Sequence, residues 1–153
     1  MNYWLMKTEP DVFSIDDLNN SPQKTTQWEG VRNYQARNFM RDDMRRGDKV
    51  LIYHSNCTSP GIAGIAEISK ESYPDYFAWD EGSKYYDSKS NPNSPRWYMV
   101  DVTFKKKFKE IVSLKKLKEI KELKNMLVLR KGNRLSITPL TKKEFEKIKK
   151  LAD

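Results

Sequence analysis

Three short stretches of this chain carry residue types that can do chemistry. The first is Lys7-Thr8-Glu9, an amine, a hydroxyl and a carboxylate in a row, just before Pro10. On a regular strand Lys7 and Glu9 share one face and Thr8 points to the other, so the three do not converge. A Lys7–Glu9 pair either orients a site or braces the strand as a salt bridge. The second stretch is Trp28-Glu29-Gly30-Val31-Arg32-Asn33, with Gln35 and Arg37 close behind. Trp28 offers a flat face for stacking on a base, worth ~1–3 kcal/mol per base in single-strand binders. Arg32 and Arg37 can hold phosphate. Asn33 is placed to cap a helix whose first N–H groups are free for an anion or a base edge. The structural alternatives are Trp28 as a core plug and Asn33 as a cap alone. The third stretch is His54-Ser55-Asn56, donors and acceptors at the end of an apolar strand.

None of these forms a recognisable catalytic set. His54 beside Ser55 is not a triad, because a triad is defined by geometry and not by neighbours in sequence. A hydrogen-bonded or ligand-contacting histidine is the expected role. Cys57 is the single cysteine, so no disulfide framework or cysteine-based metal site is expected. One histidine likewise gives no histidine-rich metal centre. The adjacent pairs Asp16/Asp17 and Asp42/Asp43 diverge on helices, and no glycine-rich phosphate loop is present. The expectation is a binding module without metal or cofactor.

The elements that must position these groups follow from local patterns. Residues 3–8 read as a strand. Ser14 caps a short helix over residues 15–18, with Asp17 closing a capping box and Phe13 and Leu18 as hydrophobic staple. A second helix is expected from Asn33 to about residue 46, with Ala36, Met40 and Met44 on one face and Arg45-Arg46-Gly47 as its stop. Residues 49–54 are apolar on both faces and should form a central strand. Residues 61–68 form another strand, and their glycines and alanines suggest close approach of a backbone or ligand. Residues 70–95 have no period. They read as a long loop carrying Tyr73, Tyr76, Phe77, Trp79, Tyr85 and Tyr86; such loops are usually functional or disordered, and the aromatics argue against disorder. Residues 97–104 alternate as a half-buried strand. Ser113 caps a third helix. Residues 127–129 and 135–137 are short strand candidates. Thr141 and Glu144 open a last helix that buries Phe145, Ile148 and Leu151. This is one α+β domain over residues 1–153, with no repeat or linker.

Composition bounds the partners. The net charge is +8, carried unevenly. Residues 1–104 hold 12 Lys+Arg against 15 Asp+Glu, and residues 105–153 hold 17 against 6. The second part reads as a basic tail on an acidic body. Such a tail attracts polyanions, nucleic acid included, and is equally what a solvated helix surface looks like. Mean hydropathy is −0.85, and no apolar run approaches the ~20 residues that span a bilayer. The first residues lack a basic region followed by an apolar one. A monomeric cytoplasmic protein without membrane contact is expected.

The segments YWLMKTEP (residues 3–10), WEGVRNYQARN (28–38), YHSN (53–56), GIAG (61–64), SKYYD (83–87), PRW (95–97) and GNRLS (132–136) occur in this order. Together they strongly resemble the EVE domain family. The resemblance implies a PUA-like fold, a curled mixed sheet or pseudo-barrel surrounded by short helices, with kinship to YTH and ASCH domains. It implies a nucleic-acid-binding module that holds a modified base, notably modified cytosine in DNA or a modified RNA base, in an aromatic pocket. On that analogy Trp28 matches a cage wall, Ser55 and Asn56 a base-reading turn, and Trp79 a second wall. The base-contacting set is then Lys7, Thr8, Glu9, Trp28, Gly30, Val31, Arg32, Asn33, Gln35, His54, Ser55, Asn56, Trp79 and Tyr85. Arg32, Arg37, Arg96 and Arg134 would hold phosphates. The alternative is a small ASCH-like amidohydrolase acting on a modified nucleoside through Lys7, Thr8 and Glu9. A third reading is a basic module binding RNA through its lysines alone.

Overall fold

The computed structural model describes residues 1–153. Six strands form one mixed sheet: β1 (Tyr3–Thr8), β2 (Thr25–Gln27), β3 (Lys49–His54), β4 (Gly61–Pro74), β5 (Tyr98–Ser113) and β6 (Ile137–Leu140). Their order across the sheet is β2-β5-β4-β3-β1-β6. Only the β1–β3 pair is parallel. Its register sets Lys7 opposite Tyr53 and Thr8 opposite His54. Two of the three chemical stretches therefore leave the sheet side by side, and Ser55 N–H donates to Thr8 O at 3.0 Å.

The sheet is buried on both faces. In β1, Trp4 and Met6 join one core cluster and Leu5 the other; in β3, Val50 and Ile52 divide from Leu51 and Tyr53 in the same way. Period-two alternation sends neighbours to opposite faces, so a strand apolar throughout must be covered twice. One cover comes from α1 (Ile15–Asn19), α2 (Tyr34–Asn38) and the π-helical turn Phe39–Asp43 that continues α2. They bring Ile15, Leu18, Ala36 and Met40, with Met44 just beyond the turn. The other cover comes from α3 (Leu114–Glu119) and α4 (Lys142–Leu151), with Leu117, Phe145 and Ile148. The lysine-rich end is thus not a tail on a body. It supplies half of β5 and one wall of the core, with its lysines turned outward. Lys105-Lys106-Lys107 broke the alternation and hid the continuation of β5 past residue 104.

The β4–β5 ladder changes register at four places between Ile62 and Tyr73. Each irregularity adds twist and bend to the long strands. The sheet curls but does not close: β2 and β6 are its two free ends. This is the expected curled mixed sheet surrounded by short helices, left open between edge strands of three and four residues. Other departures are local. The helix after Asn33 ends at Asp43, and Gly47 (φ 95°) serves the turn into β3 rather than a helix stop. Residues 127–129 form a 3-10 turn, not a strand. The expected loop 70–95 is shorter, because β4 runs to Pro74 and Tyr76–Trp79 is a 3-10 turn. At the start of β1, buried Asp48 accepts from Asn2 N–H (3.0 Å), Trp4 Nε1 (3.0 Å) and Arg45 N–H (2.9 Å).

Candidate functional site

A cavity of about 520 Å³ opens where β1 ends. That is within the ~300–1,000 Å³ range of small-ligand sites. Its lining comes from Lys7, Thr8 and Glu9, from Val12 and Phe13 before α1, from residues 26–32, and from Lys84, Tyr85 and Ser136.

The loop after β2 is fixed by one buried carboxylate. Asp75, fully buried, accepts Gly30 N–H (2.9 Å) and Arg32 Nη1 (3.0 Å) on one oxygen and Phe77 N–H (3.1 Å) on the other. Arg32 Nη2 donates to Tyr85 O at 2.7 Å, and the guanidinium lies over the Tyr85 and Trp97 rings. Arg32 is therefore a clamp between two loops, already paired, and not a free phosphate ligand as expected. Gly30 has φ 83°, and a Cβ there would run into the Tyr85 ring. Glycine is required twice over, by conformation and by space.

Trp28 stands between the core and the cavity. It is 8 % exposed and belongs to the core cluster with Met6 and Val31, yet it lines the cavity. Its backbone N–H donates to Val100 O at 2.8 Å. Its indole N–H has no acceptor in the protein and is not among the sealed, unpartnered polar atoms, which are Arg32 Nε and Ser69 Oγ. Glu29 follows it. Burial pushes the Glu29 carboxyl above the usual range, its own backbone N–H pulls it down, Asp75 raises it and Lys84 lowers it.

Lys7, Thr8 and Glu9 all contribute to the cavity wall. The strand stops at Thr8, and Val12 and Phe13 N–H both turn back onto Glu9 O at 2.9 Å, so the period-two rule lapses there. The expected Lys7–Glu9 salt bridge is absent. Glu9 Oε1 instead accepts from Asn56 Nδ2 at 2.7 Å. Thr8 Oγ1 donates to Phe13 O at 2.7 Å. Lys7 keeps a free amine, and burial lowers its pKa.

Several expected site residues lie outside the cavity. His54 Nε2 accepts Ile15 N–H at 3.1 Å, and burial lowers its pKa, which keeps that lone pair available. It anchors α1. Ser55 is held by its backbone, and Asn56 (φ 51°) reaches only the rim through Glu9. Asn33 caps α2, accepting Ala36 N–H at 3.0 Å, and Gln35 is exposed on that helix. Trp79 is half-buried in its 3-10 turn away from the cavity, and the aromatic wall facing it from that region is Tyr85. Arg37 bonds to Arg96 O (3.0 Å) and covers Tyr34, which stacks on Trp97 at 4.9 Å. Arg96 sits 3.5 Å from Asp87, and Arg134 is exposed. Sequence reading missed Glu29, Asp75, Lys84 and Ser136. Glu29 and Lys84 sat beside named residues, while Asp75 and Ser136 reach the site only through tertiary contacts, such as Lys7 N–H to Ser136 O at 2.8 Å.

Comparison with known proteins agrees with this architecture. Human thymocyte nuclear protein 1 is 43% identical over 161 residues, covering 95% of this chain and 71% of that protein. A crystal structure of human THYN1 protein in complex with 5-methylcytosine-containing DNA superposes with a TM-score of 0.93 at 44% identity, over 100% of this chain and 98% of that chain. A mutant of the ZmASCH protein from Zymomonas mobilis gives a TM-score of 0.56 at 11% identity, over the full length of both chains, a likeness of fold alone. The EVE domain family model matches residues 2–151, and the chain belongs to the EVE domain family.

Proposed function

We propose that this chain binds DNA carrying a modified cytosine, with the base turned out of the helix into the cavity beside β1. The observation that carries the reading is the lining itself. Trp28 and Tyr85 give aromatic surface, Lys7 and the Trp28 indole give unpartnered donors, and Glu29 gives an acceptor. Extruding a base costs a few kcal/mol, least where it is already unpaired. Stacking at ~1–3 kcal/mol per base and hydrogen bonds to the base edge can offset that. The likeness to a protein crystallised with 5-methylcytosine DNA supports the choice of cytosine and of DNA. Attraction of the backbone falls to the surface lysines of residues 105–153 and to Lys84, since Arg32 is spent internally.

The test is a titration of matched oligonucleotides differing only by a 5-methyl group on one cytosine, at fixed salt. Wild type should prefer the methylated strand, and Trp28→Ala should bind both weakly and alike. Equal affinity for the two strands in wild type sinks the reading.

A further inference from the structure

The cavity contains a carboxylate that a site for an anionic polymer has no general use for. Glu29 lines it, makes no hydrogen bond to another side chain, and is not one of the sealed polar atoms. Its neighbours hold it in place. Trp28 is fixed in the core, and Gly30 is fixed by Asp75 and by the Tyr85 ring lying against its Cα. Glu9, the other lining carboxylate, is occupied by Asn56. Glu29, bonded only to its own backbone N–H, thus keeps accepting capacity to spare. Phosphates are repelled from such a group, and keto oxygens are refused by it. A nucleobase N–H satisfies it through a charge-assisted hydrogen bond; the ring N3–H of thymine or uracil is one such donor, but at position 4 of a pyrimidine only the amine donates.

We infer that Glu29 reads the 4-amino group of the extruded pyrimidine and so makes the cavity select cytosine-type over thymine- or uracil-type bases. The inference rests on the base-extrusion reading and adds what decides the base. Its consequence is specific. 5-Methylcytosine and thymine carry the same 5-methyl group and differ at position 4 and in the proton on N3, so methyl recognition alone does not separate them. A carboxylate accepts from the amine of one and is repelled by the keto oxygen of the other.

The experiment uses four oligonucleotide duplexes with cytosine, 5-methylcytosine, uracil or thymine at one position opposite an abasic site. Pairing then contributes nothing to the cost of extrusion. The full chain and its Glu29→Gln and Glu29→Ala variants are titrated with each. Wild type should prefer amino over keto bases on the order of ten- to hundredfold. Glu29→Gln, whose amide accepts from an amine or donates to a keto group, should fall to within about twofold, with any preference for the 5-methyl group retained. Glu29→Ala should lose the amino preference too. Each result is a ratio of two ligands on one protein, so partial loss of folded protein does not mimic it. No amino preference in wild type, or a full one in both variants, overturns the inference. Absence of methyl preference, with an amino preference that depends on Glu29, overturns the modified-base reading and leaves this one standing.

Discussion

The two ends of β1 use the same device for opposite purposes. At its start, Asp48 gathers Asn2 N–H, the Trp4 indole and Arg45 N–H. At its end, Asp75 gathers Gly30 N–H, Arg32 and Phe77 N–H. Both carboxylates are buried, and both satisfy donors that would otherwise cost about 1–3 kcal/mol each. The difference lies in what they leave unsatisfied nearby. Asp48 uses up the indole N–H of Trp4. Around Asp75, the Trp28 indole, Glu29 and Lys7 make no hydrogen bond to another residue and share one cavity. A polar hub builds a fold when it consumes its neighbours' hydrogen bonds. It builds a site when it fixes the backbone and leaves side chains free.

Removing each hub separates the two roles, with the largest effect first. Asp75→Ala leaves Arg32 unpaired in a mostly buried setting and should cost about 3–5 kcal/mol in chemical denaturation. It should also abolish base discrimination. Asp48→Ala should cost about 2–4 kcal/mol, with affinity per folded molecule unchanged. If both variants changed base preference equally, the division between the ends of β1 would be wrong. Gly30→Ala sharpens the comparison. Its Cβ meets the Tyr85 ring at positive φ, so it should lose about 1–3 kcal/mol of stability and at least tenfold in affinity, measured by thermal melting and titration.

The smallest expected effect is a pH slope. His54 is the chain's only histidine, and its folded pKa lies below the ordinary value, first because of burial, with Asp16 opposing and Lys107 assisting. The unfolded chain then takes up the proton first. Stability is full above about pH 6.5 and is lost as pH falls from there to the folded value, below which this group adds no further slope. Denaturation curves should show that slope in wild type and lack it in His54→Leu, whose overall level is lower by ~1 kcal/mol for the lost acceptor. Base preference should be unchanged, since His54 serves α1 and not the cavity. A change in preference would return His54 to the site.

Much of the fold was legible because local rules were obeyed. The capping boxes at Ser14 and Thr141 formed as spaced, and the doubly apolar run 49–54 became an interior strand. What the sequence concealed was long-range. β5 continues through three lysines because β4 pairs with it, and no side-chain pattern announces that. Trp28, Gly30 and Tyr85 were legible as site residues, and the cavity has all three in its wall. Asp75 was not, because an aspartate before a tyrosine in a long loop looks like any turn. Arg32 was misjudged for the same reason, as its partner lies 43 residues away.

The central claim is tested most directly by determining the structure of this chain bound to a duplex with one 5-methylcytosine. The account predicts that base rotated out of the helix and seated against Trp28 and Tyr85, its amino group on Glu29. A base still paired and stacked, with the DNA lying along the lysines of residues 105–153 and the cavity vacant, would contradict it.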